Sequence, residues 1–466
     1  MKKNSEEHPV PMRLVRLISL GCPKNMVDAG VAAGSLLVDG FGLTADDDEA
    51  DVMWINTCAF LASARKEGVE EIRRACAWKK RRAGRLVVVA GCLPQWDKAG
   101  QIQAKYPLVD AWIGIDHHAQ IGSVLKHLLG GKSVPEPLAA KTSGWIYDET
   151  TPRLPVESEH YAYLKIADGC DNCCTYCLIP SIRGGLRSRT VASVAAEAAS
   201  LVNIGYRELI LIAQDSGAFG RDRTGGKSEL PKLLAALDKL PGEFRIRLMY
   251  VHPASIDDAM IRALKKCRRL IPHIEMPVQH MSDAMLKAMN RHITAARQAD
   301  VIRKLREAGF TIRTTLMTGF PGESEADYRM LLDTVKSRVF SRIGVFAYSP
   351  EEGTPAAAMK GRIPPKVAEK RAAEIAVEQK KISTEANRAL KGRTVDVILD
   401  TDCGRGRWHG RMLMDAPDID QTVHVSQCPA GLVPGAVVGA TITRTASYEL
   451  YGTYEPEGGA PGGTNP

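Results

Sequence analysis

The sequence predicts an α/β protein in three parts: an N-terminal open parallel α/β domain, a central incomplete (β/α)6 barrel and a small C-terminal β-barrel. Three observations lead there. Strand-like runs at 14–20, 52–56 and 86–90 are each followed by a helical pattern, and each ends at a cysteine: Cys22, Cys58 and Cys92. Between 159 and 360 a strand–helix rhythm recurs six times. After a long charged, Ala-rich helical stretch, short strand-like runs continue to about 454 with no helical pattern. The expected boundaries are 12–132, a Pro-containing linker at 133–158, the barrel domain at 159–388 and the β module at 389–454, with disordered tails at 1–11 and 455–466.

Composition narrows the class. With 466 residues, 25% charged and 44% hydrophobic, the chain can bury cores without disulfides. Its apolar runs fall far short of the ~18 residues of a membrane span, and Arg13 and Arg16 interrupt the only apolar stretch near the N-terminus. No signal peptide and a cytoplasmic location are therefore expected. The net charge of +8, from 62 basic against 54 acidic residues, is a small excess for this length. It permits nucleic acid as a partner without arguing for it. The basic clusters at 79–82 and 265–269 read as solvated helix faces. Eleven cysteines in a reducing compartment read as metal ligands or catalytic thiols, with a few packed thiols besides.

In the first domain, parallel strands gather ligands at their carboxyl ends. Three thiols delivered to that edge can converge although they are distant in sequence, which predicts a shared metal site. Gly21 and Gly91 would let backbone approach a bulky group closely. In the second domain the strand candidates are 161–167, 208–213, 245–251, 273–278, 311–317 and 344–348. Right-handed crossovers would curl them into a partial barrel. Its carboxyl ends carry Cys170, Gln214, Asp215, His252, Gln279, His280, Thr318 and Ser349.

The chemistry-bearing segment follows the first of these strands: Asp168-Gly-Cys-Asp-Asn-Cys-Cys-Thr-Tyr-Cys177. Cys170, Cys174 and Cys177 stand in C-x3-C-x2-C spacing. Soft thiolates so close together select zinc or an iron–sulfur cluster. A closed zinc site wants four ligands, and the only nearby fourth thiol, Cys173, adjoins Cys174. Three cysteines on one cubane would leave one iron open for chemistry.

This motif resembles that of the radical S-adenosylmethionine enzymes. The resemblance implies a 4Fe–4S cluster on Cys170, Cys174 and Cys177, with Tyr176 as the aromatic residue before the last cysteine. It also implies S-adenosylmethionine bound at the open iron and cleaved to a 5′-deoxyadenosyl radical. The three N-terminal cysteines, the barrel and the β module together resemble the methylthiotransferases. The RimO-type branch is indicated by Ser19-Leu-Gly-Cys-Pro-Lys-Asn25, Asn56-Thr-Cys58, Gly91-Cys-Leu-Pro-Gln95, Ile179-Pro-Ser-Ile-Arg-Gly184, Arg187-Ser-Arg189, Met276-Pro-Val-Gln-His280, Thr318-Gly-Phe-Pro-Gly-Glu323 and Tyr348-Ser-Pro-Glu-Glu-Gly-Thr-Pro355. The match spans about residues 13–452. One departure is Asp28-Ala-Gly30, where the family usually has a Ser-Glu pair after the Asp.

The resemblance implies two 4Fe–4S clusters, the second on Cys22, Cys58 and Cys92, where it would hold the sulfur. S-adenosylmethionine would serve as both methyl donor and radical source, with Arg189, Gln214, Asp215 and Gln279 as candidate contacts. No catalytic side chain is singled out. The implied substrate is an aspartate β-carbon of the twelfth small-subunit ribosomal protein, a basic protein; the alternative is an adenosine in tRNA. A non-catalytic iron–sulfur electron carrier would explain the cysteines but not a six-unit barrel. The β module looks like a TRAM domain, a small barrel often used to bind RNA. Over 391–452 it has six basic and seven acidic residues, so it lacks the basic excess that phosphate binding rewards. Its run Asp415-Ala-Pro-Asp-Ile-Asp420 is expected to repel RNA and attract a basic protein. No membrane partner is expected, and tRNA is disfavoured.

Overall fold

The computed structural model describes residues 12–132 and 144–456; the tail at 1–11, most of the C-terminal tail and the linker segment 133–143 lie outside them. The chain divides into two compact units. The first holds residues up to Val156 together with Ser181–Gly184, and the second holds Glu157–Pro180 and the chain from Gly185 onward.

The first unit is a five-stranded parallel sheet of β1 (Leu14–Ser19), β2 (Gly42–Thr44), β3 (Val52–Thr57), β4 (Leu86–Gly91) and β5 (Ala111–Ile113), in the order β2-β1-β3-β4-β5. β3 is buried along its whole length, as a central parallel strand covered on both faces must be. The short edge strands β2 and β5 give no alternation for a sequence pattern to register. The three strands that precede the cysteines are immediate neighbours. Ser19 pairs with Asn56, and Thr57 with Gly91, so their carboxyl ends are level. Trp54, Val88, Ile113, Leu36 and Leu125 fill the core beneath.

Helix α1 (Pro23–Val38) follows Cys22, which occupies its N-cap with Pro23 at the first turn. Pro lacks an N–H that the first turn would leave unpaired in any case. Packing requires the glycine of the Asp28-Ala-Gly30 departure. The segment around Pro152 lies against this helix: the Leu154 N–H donates to the Gly30 carbonyl at 2.9 Å. A Cβ at Gly30 would sit 2.7 Å from the Leu154 oxygen, and one at Gly34 would sit 2.5 Å from the Pro152 carbonyl.

The second unit begins with β6 (Tyr161–Lys165). A two-stranded ribbon, β7 (Ala167–Asp168) and β8 (Arg187–Ser188), then brackets the C-x3-C-x2-C loop. β9 (Glu208–Ile212), β10 (Arg245–Leu248), β11 (Leu270–Glu275), β12 (Thr311–Thr318) and β13 (Arg342–Ala347) complete a six-stranded parallel sheet in the order β6-β9-β10-β11-β12-β13. Its end strands, β6 and β13, do not pair with each other, so the barrel is incomplete. β11 starts and ends three residues before the 273–278 expected; Pro277 has no N–H to carry the ladder beyond Met276, whose N–H reaches the Arg313 carbonyl. Leu164, Leu211, Leu248, Ile274 and Ile312 belong to one continuous core with the surrounding helices.

After the helix Pro365–Ala389, strands β14 (Thr394–Asp402), β15 (Trp408–Met412), β16 (Thr422–Ser426), β17 (Val437–Thr445) and β18 (Glu449–Glu455) close a barrel in the order β14-β15-β16-β18-β17. β18 reaches one residue into the stretch expected to be tail, because Glu455 pairs with Gly439.

The acidic run of this module is not the free surface expected of it. Asp415 is fully buried and pairs with Arg342, whose Nε lies 3.0 Å from its Oδ1. Asp420 accepts from Arg313 Nε at 3.2 Å, and Asp418 accepts from the Tyr161 hydroxyl at 2.8 Å. Arg342, Arg313 and Tyr161 stand at or near the starts of β13, β12 and β6. Glu208, the first residue of β9, lies between Arg247 and Arg411 at 2.6 and 2.5 Å. Burial would raise the Glu208 carboxyl, but Arg411 and Arg247 outweigh it and hold it at about 2. The acids therefore lock the module to the amino ends of the barrel strands, opposite the edge that carries the cysteine loop. They say nothing about an external partner.

Candidate functional site

Two three-cysteine sites lie at carboxyl ends of parallel strands. In the first unit, Cys22, Cys58 and Cys92 follow β1, β3 and β4. Gly21 has φ +96°, and a Cβ there would come within 2.5 Å of the Cys58 Cβ; glycine is required on both counts. Buried Asn25 ties the three loops together. Its Nδ2 donates to the Leu20 and Thr57 carbonyls at 2.9 Å each, while Asn56 Nδ2 donates to the Asn25 carbonyl at 2.7 Å. Thr57 Oγ1 reaches the Ala90 carbonyl at 2.7 Å and accepts the Leu93 N–H. The thiols are close enough to act on one another's charge. Burial raises the Cys58 thiol, helped by Cys22, and pushes Cys92 up to about 12 against the opposing pull of Arg183.

In the second unit, Cys170 and Cys177 are pushed up to about 11 and about 12, mainly by burial. The loop is fixed at several points. The Cys177 N–H donates to the Cys174 carbonyl at 3.0 Å, Thr175 binds the Met289 and Ala288 carbonyls through its N–H and hydroxyl, and the Ala356 N–H donates to the Thr175 carbonyl. Buried Arg291 points Nη1 at the Cys174 sulfur (3.6 Å) and the Tyr176 hydroxyl (3.4 Å), while Nη2 bonds the Pro277 carbonyl. Cys173 is the exposed member, with φ +50° and its carbonyl held by Asn290.

Among the described residues no group of three or more His, Cys, Asp or Glu side chains is arranged to hold a metal ion. The chemistry of the donor sets fits an iron–sulfur cluster, which takes one thiolate per iron at separate corners. Thiols raised this far stay protonated on their own, and it takes the positive charge of a bound metal centre to make them thiolates.

The four candidate cofactor contacts divide into two pairs. Arg189 is buried, donates to Ser193 and pairs with Glu197. Asp215 accepts the Gly217 and His252 N–H groups, the Ser255 hydroxyl and Asn172 Nδ2 between 2.9 and 3.1 Å. It joins the ends of two barrel strands to the cysteine loop. Gln214 donates to Asp168 at 2.8 Å, yet its Oε1 is buried without a partner, as is Oε1 of Gln279, which has φ +67°. These two glutamines keep acceptors in reserve at the carboxyl edge. Sequence reasoning did not single out Asn25, Asn172, Arg183 or Arg291 for these contacts. Asn25, Asn172 and Arg183 lay inside the motifs given above, but nothing in Arg291's spacing marks it.

This arrangement has counterparts among known proteins. Residues 164–335 match the Radical SAM superfamily, residues 14–114 match Uncharacterized protein family UPF0004, and residues 392–454 match the TRAM domain. Of solved structures, the radical S-adenosylmethionine methyltransferase TsrM from Kitasatospora setae is similar in fold, with TM-score 0.55, 15% identity and coverage of 74% of this chain and 77% of that one. The cobalamin-dependent radical enzyme OxsB is also similar, at TM-score 0.54 and 11% identity, with 79% and 56% covered. Together with the relatives that follow, these matches define a radical S-adenosylmethionine methylthiotransferase, a transferase class that implies an iron–sulfur cluster and S-adenosylmethionine. Ribosomal protein uS12 methylthiotransferase RimO of Geobacter sulfurreducens is 39% identical over 443 residues, 94% of this chain and 98% of that protein. The Trichlorobacter lovleyi protein of the same name is 40% identical over 446 residues, covering 94% and 97%. The chain belongs to the RimO family. Among the described residues no helix is long and apolar enough to cross a membrane.

Proposed function

We propose that this chain methylthiolates the β-carbon of an aspartate in ribosomal protein uS12, using two 4Fe–4S clusters, one on each cysteine triad. The observation that carries the reading is the pair of separate three-thiol groups in a chain of the RimO family; each would leave one iron of a bound cubane without a protein ligand. An unactivated C–H bond is out of reach of acid–base chemistry at neutral pH, so the cluster and S-adenosylmethionine supply the radical step when bound.

The protein's part is to hold and enclose. Cys170, Cys174 and Cys177 would anchor the radical-generating cluster, with Arg291 offsetting charge at Cys174. The free acceptors of Gln214 and Gln279 suit the donor groups of S-adenosylmethionine, and Asp215 serves by fixing Asn172 in the cysteine loop. Cys22, Cys58 and Cys92 would hold the cluster that carries the sulfur. Because Asp415 and Asp420 are spent on Arg342 and Arg313 inside the second unit, preference for a ribosomal protein over tRNA rests on the motifs and the relatives rather than on the 415–420 run.

Mass spectrometry of uS12 and of tRNA from cells with and without the gene tests this directly. A gain of about 46 Da on uS12, the SCH2 added when C–H becomes C–SCH3, is expected only with the gene. The same gain confined to tRNA would overturn the reading.

A further inference from the structure

Arg183 lies six positions after Cys177 in sequence, yet Ser181–Gly184 group with the N-terminal unit. Its side chain is almost wholly buried there. Nη2 donates to Asn25 Oδ1 at 2.7 Å, to Asp28 Oδ2 at 3.0 Å and towards the Cys92 sulfur at 3.5 Å. Asn25 is itself fixed by the Leu20 and Thr57 carbonyls, so its Oδ1 is aimed at both the guanidinium and the Cys92 thiol, 3.7 Å away. A structural salt bridge would need only Asp28. Here the same nitrogen also faces a sulfur of the triad.

A buried guanidinium cannot lose its proton, so its charge is permanent. At a few ångströms, in a site shielded from water, it acts on the cysteine sulfurs far more strongly than it would at the surface. Three thiolates that also hold an anionic sulfur species would concentrate negative charge in this pocket. Arg183, against Cys92, is a cation placed to offset it, and Asp28, which accepts from the same guanidinium nitrogen, opposes it.

We infer that Arg183 is a positioning residue of the N-terminal site. It offsets the charge of the Cys22, Cys58 and Cys92 thiolates so that the site can capture an anionic sulfur co-substrate such as methanethiolate and take up the one electron released when the substrate carbon radical forms its bond to that sulfur. The inference rests on the assignment of a cluster to this triad and adds what tunes it. It also gives the Ile179–Gly184 motif a role apart from its proximity to the barrel cysteines, since the motif's arginine serves the other triad.

The test uses the full-length chain with Cys170, Cys174 and Cys177 replaced by Ala, so that only the N-terminal site can hold iron. After anaerobic reconstitution, iron content, the reduction midpoint followed by electron paramagnetic resonance, and affinity for sodium methanethiolate are measured. Adding Arg183→Gln should leave iron near about four per chain. It should lower the reduced-to-oxidised ratio at fixed potential about tenfold, which is 59 mV for one electron, and weaken methanethiolate binding about tenfold. Arg183→Lys should recover part of both. Asp28→Asn should shift the midpoint the opposite way, to higher potential, and it carries the test if Arg183→Gln does not fold.

A midpoint and a methanethiolate affinity unchanged in Arg183→Gln, with iron retained, would overturn the inference while leaving the cluster assignment intact. So would an Asp28→Asn midpoint that does not rise. If the starting variant binds no iron at all, the N-terminal cluster assignment fails, and the role of Arg183 with it.

Discussion

The two cysteine triads present the same donors but are built by different means. Cys22, Cys58 and Cys92 come from three neighbouring strands and depend on tertiary packing: the level ends of β1, β3 and β4, Asn25 tying the loops, and Gly21 yielding to Cys58. Cys170, Cys174 and Cys177 occupy one loop after β7 and are brought together by their short spacing, while Thr175 bound to Met289, Ala288 and Ala356, and Arg291 at Cys174, anchor that loop. A buried arginine faces one sulfur in each site, Arg183 at Cys92 and Arg291 at Cys174. The comparison teaches that a group of three thiols can be specified by sheet topology or by short spacing. The two kinds of site should therefore fail under different perturbations.

The largest effect should come from the short-spaced triad. Replacing Cys170, Cys174 and Cys177 with Ala should remove about four of about eight irons per chain and abolish cleavage of S-adenosylmethionine. Iron analysis and chromatography of 5′-deoxyadenosine check this; full iron retention would break the comparison.

A control away from the C-x3-C-x2-C loop follows. Glu208→Gln leaves Arg247 and Arg411 short of a buried counter-charge, a loss of about 3–5 kcal/mol, seen as a lower Tm at neutral pH. The pH dependence has a definite sign. The folded-state carboxyl sits at about 2 against its ordinary 4.5, so its stabilisation is present above about 4.5 and is lost as pH falls toward 2. Thermal melts of the variant should lack that part of the acid loss. Cleavage of S-adenosylmethionine per folded molecule should be unchanged, because Glu208 lies at the other end of the barrel strands from the cysteine loop.

A packing perturbation should select the tertiary triad. Gly34→Ala drives a Cβ against the Pro152 backbone and should cost about 1–3 kcal/mol. Because α1 begins at Cys22, iron should be lost from the N-terminal site while cofactor cleavage persists. The smallest effect belongs to Cys173→Ser, which should keep its iron and its cleavage rate, since this exposed thiol is expected to hold no metal. Measurable iron loss there would reopen which thiols of the loop are ligands.

Legibility in the sequence followed the length scale of each interaction. The six parallel strands and the cysteine-ended strands of the first sheet could be read because buried parallel strands are continuous apolar runs. The three-residue β2 and β5 could not, being too short for any period. The C-x3-C-x2-C loop was legible because its three cysteines stand within eight residues of one another. Arg291 was not, because it reaches Cys174 across more than a hundred positions. The acidic run at 415–420 misled: sequence shows charge but not the arginines it meets, and Asp415 is buried against Arg342. Arg183 stood in a motif, yet only folding shows that it turns toward Asn25, Asp28 and Cys92.

The central claim is a division of labour between the triads, and one reaction tests it most directly. The full-length chain with Cys22, Cys58 and Cys92 replaced by Ala is reconstituted anaerobically and given reductant, S-adenosylmethionine, sulfide and uS12. Both 5′-deoxyadenosine and the mass of uS12 are followed. The account predicts 5′-deoxyadenosine at close to the unaltered enzyme's level and no uS12 heavier by about 46 Da. Methylthiolated uS12 forming at the normal rate would contradict it, leaving the N-terminal cysteines a structural role only.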